Sequence, residues 1–243
     1  MIKIANQTHY YKQQARKLVE SVRDFPVDRP FVLSINDEQL ELCCDINSQT
    51  TCFVHSFTSQ KLIQRSLQKN QTLLKACNNK KRDIKTVVDL TAGWGRDSFI
   101  LATHGQQVCM VEQNDLIYYC LDYLLEIARE DKTNELFNRL HLEQNNSFNY
   151  LSNLQGIKPD CLYLDPMFPA HKSGARPSKD LQILQLVTEN QDMIRVFELA
   201  LQKAQYRVVV KRPIHSPALN ELKPDIVYRE KTIRFDVYLC TNH

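Results

Sequence analysis

Glycine is scarce: the 243-residue chain holds 5 glycines, 9 prolines and 1 tryptophan. At average usage of about 7% a chain of this length would carry about 17 glycines. Flexible linkers, glycine-rich tails and collagen-like repeats are therefore excluded. No apolar stretch approaches the ~20 residues that span a bilayer, and the N-terminus lacks the apolar h-region of a secretory signal. A cytoplasmic protein without membrane attachment is expected. The 8 cysteines form no CxxC pair, and the 7 histidines form no HExxH. Buried free thiols and no metal are the expectation.

Hydrophobic residues make up 43% and charged residues 24%, the balance of a globular protein rather than a disordered one. The net charge of +3 decides little, but its distribution is uneven. Residues 61–85 contain Lys61, Arg65, Lys69, Lys75, Lys80, Lys81, Arg82 and Lys85 against Asp83 alone. That segment is +7 and the rest of the chain −4. A basic stripe on a near-neutral chain suits a polyanion, although a solvated helix face has the same composition.

The pattern divides the chain into three parts. Residues 1–57 read as a small α+β region, with a helix over His9–Arg23 and strands at Phe31–Ile35, Leu40–Cys44 and Thr51–Phe57. Residues 58–84 form a basic helix, Thr58–Cys77, and a connector. From 85 to 243 strands and helices alternate. The strands are predicted at 86–90, 107–112, 139–143, 160–164 and 206–210, followed by a hairpin at 226–229 and 234–239. A single long helix is predicted from Lys179 to Ala204. Such alternation implies an α/β doubly wound sheet, mostly parallel, with one antiparallel strand from the hairpin.

Ligands of such sheets bind beyond the carboxyl ends of the strands. The loop after the first of these strands reads Asp89-Leu-Thr-Ala-Gly-Trp-Gly-Arg-Asp97, the one place where two glycines, Gly93 and Gly95, fall close together. Glu112 ends the next strand, where a carboxylate can accept bonds from ribose hydroxyls. An NAD site would want a third glycine where Ser98 stands, and Asp89 and Asp97 repel a pyrophosphate. Those acids instead suit the sulfonium and amino groups of S-adenosylmethionine. The fourth strand runs into Asp165-Pro-Met-Phe-Pro169. A base amine is a poor nucleophile because its lone pair is delocalised into the ring. Asp165 offers a side-chain acceptor for its N–H bonds, Pro166 a carbonyl acceptor and Phe168 a surface to stack the base. The basic residues Lys172, Arg176, Lys211 and Arg212 lie near the same edge and, with Lys61, Arg65 and Lys69, could form a phosphate track.

Four stretches in order, Asp89–Asp97, Tyr163–Pro169, Arg207-Val-Val-Val-Lys-Arg-Pro213 and Arg234-Phe-Asp-Val-Tyr238, resemble the RsmJ family over residues 50–239. The resemblance implies a class I (Rossmann-like) methyltransferase fold and S-adenosylmethionine-dependent methylation of a guanine N2 amine, guanine 1516, in 16S rRNA or the small ribosomal subunit. It places the cofactor against Arg96, Asp97, Glu112, Gln113, Asn146, Ser147 and Asp165. Gln113 stands where the family usually has arginine, and Asn146-Ser147 where it has Ser-Ser. Three other readings share parts of this chemistry: an amino-methyltransferase acting on another nucleic acid or a protein amide, an NAD-dependent oxidoreductase, and an RNA-binding protein without catalysis.

Overall fold

The computed structural model describes residues 2–6, 12–22, 30–46, 48–69, 71–78, 83–166, 179–187 and 192–240. Two compact units result. The first comprises residues 1–63, 114–137 and 167–189, and the second residues 64–113, 138–166 and 190–243.

The first unit contains a four-stranded sheet, β1 (Ile2–Asn6), β2 (Phe31–Ile35), β3 (Leu40–Ile46) and β4 (Gln49–His55), in sequence order. β2, β3 and β4 form an antiparallel meander, while β1 lies parallel to β2. Alternation of apolar residues sets its inner face: Phe31, Leu33, Ile35, Leu40, Leu42 and Phe53 are buried. The Asn36 carbonyl oxygen of the side chain accepts the N–H groups of Glu38 and Gln39, which turns the chain between β2 and β3. Helix α1 (Lys12–Val22) belongs to the same unit as α5 (Asp115–Arg129), and Lys17 pairs with Asp122 at 2.6 Å. β1 had no counterpart in the sequence reading.

The cysteine expectation needs one correction. Cys43 and Cys52 form a disulfide, because the β3–β4 register sets them directly opposite each other. Nine residues of separation carry no such signal; strand pairing creates the proximity. Glu41 lies close to the same pair. Cys44, Cys77, Cys120 and Cys161 are buried free thiols as expected.

The long basic helix is in fact two, α2 (Gln60–Ser66) and α3 (Thr72–Cys77). The Gln71 side-chain amide donates to the carbonyls of Arg65 and Gln68, satisfying groups that a continuing helix would use. Leu67, just past the end of α2, is 62% exposed. The predicted helix over 179–204 is likewise two, α7 (Lys179–Val187) and α8 (Met193–Lys203). Asp192 starts α8 by accepting the N–H groups of Ile194 and Arg195.

The second unit carries a seven-stranded sheet, made of β5 (Thr86–Asp89), β6 (Gln107–Glu112), β7 (Leu140–Gln144), β8 (Cys161–Leu164), β9 (Arg207–Pro213), β10 (Ile226–Arg229) and β11 (Ile233–Leu239). Its order is β10-β11-β9-β8-β5-β6-β7, and β11 runs antiparallel to both of its neighbours. β7, β6, β5, β8 and β9 are mutually parallel. This is the class I doubly wound sheet with one antiparallel strand. Val208, Val209 and Val210 are all fully buried, as a central parallel strand requires. Phe197 of α8 packs edge-on against Tyr238, with ring centroids 4.7 Å apart. Burying such a side chain stabilises the fold by about 1.5–3 kcal/mol. Strand order reverses between β5 and β8, and that switch point positions the site.

Candidate active site

The loop leaving β5 is held from several sides. Gly93 and Gly95 have φ of 51° and 66°, left-handed values that disfavour any residue with a Cβ. Gly95 also begins α4 (Arg96–Thr103), so Arg96 and Asp97 lie in its first turn. Glu112 arrives at the end of β6 as expected, and its buried carboxylate accepts the Gly93 N–H at 2.8 Å. Gln113 follows it, half-buried. Ser147 is buried, its hydroxyl donating to the Leu90 carbonyl. Asn146 caps the next helix, α6 (Ser147–Asn153), by accepting the Asn149 N–H.

Asp89 departs from its expected role. It is 1% exposed, and its two oxygens accept the Ser98 hydroxyl at 2.6 Å and the Thr91 N–H at 3.1 Å. It ties the loop to α4 from beneath rather than facing a ligand. Burial pushes its carboxyl up to about 7, against the lowering effect of the Ser98 and Thr91 hydrogen bonds. Ser98, which fills the third glycine position of a dinucleotide loop, is therefore the partner of this acid.

Asp165 follows β8 directly. The parallel register pairs Leu164 with Val210, so Asp165 and Lys211 are the next step along the two strands. The Lys211 ammonium donates to Asp165 at 2.8 Å and to Asp97 at 2.9 Å. The Tyr163 hydroxyl also donates to Asp97, at 2.7 Å, and the Arg65 guanidinium stands 4.0 Å from the same carboxylate. The Asp165 backbone N–H donates to the Thr91 hydroxyl oxygen at 2.6 Å, joining the turn after β8 to the glycine loop. Pro166 is buried.

The charges in this cluster differ. Burial works to raise the Asp97 carboxyl, but Lys211, Tyr163 and Arg65 together hold it below its ordinary value. Burial pushes Asp165 above its ordinary value; Lys211 pulls it back only in part, and Asp97 adds to the rise. Burial alone would lower the Lys211 ammonium, yet the two carboxylates outweigh it and keep the group charged.

The predicted phosphate track is corrected at two positions. Lys211, with 20% of its side chain exposed, is spent on two carboxylates. Arg212 is 5% exposed and donates to the Pro217 carbonyl, so it braces the loop after β9. Successive side chains of β9 point to opposite faces of the sheet, and on each face the charged group meets a partner within the protein. Lys61, Arg65 and Lys69 are exposed. Phe168, Lys172 and Arg176 lie outside the described residues.

Thr91, Ser98 and Tyr163 stand in the motifs, but no hydrogen-bonding role was read for them, since hydroxyl residues are common in loops and strands and carry little signal alone. Lys211 had one available signal, because aligning the ends of the fourth and fifth strands sets it beside Asp165.

A switch point framed by a left-handed glycine loop and the acids Asp97, Glu112 and Asp165 suits a ligand bearing a ribose and cationic groups. Together with the sheet topology, it defines a class I S-adenosylmethionine-dependent methyltransferase. A family model described as "Putative SAM-dependent methyltransferase" matches residues 20–240. A ribosomal RNA small subunit methyltransferase J from Coxiella burnetii (strain Dugway 5J108-111) is 41% identical over 174 residues, 70% of this chain and 67% of that protein. One of the same name from Buchnera aphidicola subsp. Schizaphis graminum is 35% identical over 213 residues, 85% of each. The crystal structure of a SAM-dependent methyltransferase from Neisseria gonorrhoeae superposes with a TM-score of 0.73 at 29% identity, covering 100% of this chain and 97% of that one. The chain belongs to the ribosomal RNA small subunit methyltransferase J family, and its cofactor is S-adenosylmethionine.

Proposed function

We propose that this methyltransferase transfers a methyl group to the exocyclic N2 amine of a guanine in 16S rRNA of the small ribosomal subunit, at the position implied by the family resemblance. The observation that carries the proposal is Asp165 at the switch point, its backbone held by Thr91 and its carboxylate by Lys211. An acceptor fixed in this way serves an amine that carries its own protons. The relatives' names support the RNA substrate, and such a substrate implies a cytoplasmic location. Among the described residues no helix is long and apolar enough to cross a membrane.

S-adenosylmethionine, when bound, supplies a methyl group activated on a sulfonium. Glu112, Gln113 and Asn146 are the side chains proposed to hold its nucleoside end, and Arg96 and Asp97 its amino-acid end. Asp89 and Ser147 support it indirectly, by holding the loop. Asp165 accepts an N–H bond of the base amine and, with the Pro166 carbonyl, draws the lone pair onto nitrogen. As the new N–C bond forms, the methyl's bond to the sulfonium sulfur breaks and leaves a neutral thioether, and the nitrogen, now with one proton too many, releases it to Asp165 or to water. A strong base is not needed, because that nitrogen is acidic. Phe168 is proposed to stack the base. Residues 58–84, with Lys61, Arg65 and Lys69, are proposed as a basic connector that meets phosphates, between the N-terminal region 1–57 and the methyltransferase domain 85–243.

The deciding experiment maps methylated nucleotides by mass spectrometry in 16S rRNA from cells lacking the protein. Loss of one N2-methylguanosine, restored by the wild-type chain and not by Asp165→Ala, is expected. An unchanged map would refute the substrate, and full restoration by Asp165→Ala would refute the mechanism.

A further inference from the structure

Lys211 sits between two acids at the point of chemistry, where it cannot serve a phosphate. The trio of Asp97, Asp165 and Lys211 sums to one negative charge when all three are ionised, which would repel an RNA backbone. Lys211 is also mostly buried, whereas Asp165 keeps 39% of its side chain exposed. The lysine therefore approaches from behind, and the carboxylate faces outward. Two carboxylates sharing one site without a cation cannot both stay ionised near neutral pH, and one takes a proton. A proton on Asp165 would convert a hydrogen-bond acceptor into a donor, the opposite of what a base amine requires.

We propose that Lys211 is a positioning residue for methyl transfer, clamping the Asp165 carboxylate and keeping it ionised beside Asp97. This inference rests on the reading of Asp165 as the group that accepts the base amine. The clamp is built from two strands and a helix. Lys211 comes from β9, Asp165 follows β8, and Asp97 lies on α4, where it also receives the Tyr163 hydroxyl from β8. Asp89 at the end of β5 adds a further acid nearby, and Arg65 of α2 adds a cation on the far side of Asp97. Of these cations only Lys211 bonds both carboxylates among the described residues. Each of its two bonds is charge-assisted, and a lysine lacks the planar fork with which arginine would grip one acid alone.

The test compares wild type with Lys211→Met and Lys211→Arg. In Lys211→Met, kcat at pH 7 is expected to fall at least tenfold, while KM for the RNA stays within about threefold. The acid limb of the kcat profile should move up by at least one pH unit, so that activity partly returns as pH rises. Lys211→Arg restores the charge and should return the limb towards its wild-type position. The salt dependence of RNA binding is expected to stay unchanged in both. A kcat profile that does not move, with a log–log salt slope reduced by about 0.7, would mean that Lys211 contacts a phosphate, and would overturn the proposal.

A second readout needs neither cofactor nor RNA. A 13C-carboxyl NMR titration of the ligand-free protein, assigned with Asp165→Asn, should show the Asp165 midpoint rising by more than one unit in Lys211→Met. A midpoint that stays in place overturns the proposal. If Lys211→Met fails to fold, Lys211→Arg and the wild-type titration still decide, since Asp165 titrating independently of its neighbours in both contradicts the clamp. Full activity of Asp165→Ala, which removes the acceptor altogether, would instead refute the mechanism on which the inference rests, and the NMR titration separates that failure from a failure of the clamp itself.

Discussion

Arg234 and Asp236 on β11 are an ion pair of one base to one acid, whereas Lys211 on neighbouring β9 serves two acids, Asp97 and Asp165. The Arg234 guanidinium grips both Asp236 oxygens, at 2.8 and 3.0 Å, and donates to the carbonyls of Pro213 and Ile214. Asp236 is 0% exposed. Every strong donor is matched and the pair is closed. The Lys211 cluster has one carboxylate more than its bridging lysine can neutralise, and Asp165 keeps part of its side chain open. A closed pair brings cost when broken and does nothing further; an incomplete one is available to a ligand. Both arise from residues on paired strands of one sheet, so the difference lies in stoichiometry and exposure.

Crossing the two sites gives the sharpest test. Asp165→Ala should cut methyl transfer at least ~10³-fold, within the range assigned to positioned proton acceptors, and change unfolding free energy by less than about 1 kcal/mol. Asp236→Ala should destabilise the protein by about 3–5 kcal/mol, because it leaves a buried guanidinium without its acid. Urea unfolding and single-turnover kinetics on both variants check this. Similar stability losses in the two would break the contrast.

Asp89 extends the comparison to a buried acid to which, among the described residues, no cation is bonded. Its folded-state value of about 7 lies above the ordinary 3.8, so the folded protein holds a proton that the unfolded chain releases. The contribution of this group to stability is therefore full below about pH 4 and is lost as pH rises towards 7, at about 1.4 kcal/mol per pH unit. Asp89→Asn should flatten the stability profile across that window and gain relative to wild type above pH 7. Urea midpoints at pH 5, 6, 7 and 8 would show it, and parallel profiles would refute it.

Two smaller effects bear on the open cluster. Thr91→Val removes the acceptor of the Asp165 N–H, worth about 1–1.5 kcal/mol. Transfer should slow by about tenfold, while calorimetry finds the affinity for S-adenosylhomocysteine unchanged. Lys69→Ala, on the exposed basic connector, should weaken RNA binding two- to threefold and lower the log–log salt slope by about 0.7. An unaltered slope would remove Lys69 from the phosphate track.

Much of the sheet was legible because its strands are short apolar runs bounded by turn residues. Gln107–Glu112 and Ile226–Arg229 match the sequence reading residue for residue. The breaks at Gln71 and Asp192 were not legible. Both lie in polar sequence that fits a solvated helix, and each is decided by where one side chain finds partners. β1 was missed because five residues at a chain end, Ile2–Asn6, gain strand character only by pairing with β2.

The amino-acid order alone determined the class of fold, the glycine loop with its left-handed turns, and the acids at the strand ends, since these depend on local patterning and on what glycine alone tolerates. The tertiary structure decided which charges meet. It turned Asp89 inward to Ser98, joined Cys43 to Cys52, and drew Lys211 away from the phosphate track to Asp165. Such pairings depend on strand register across residues far apart in sequence, and register is set by the packing of the whole sheet rather than by any one segment.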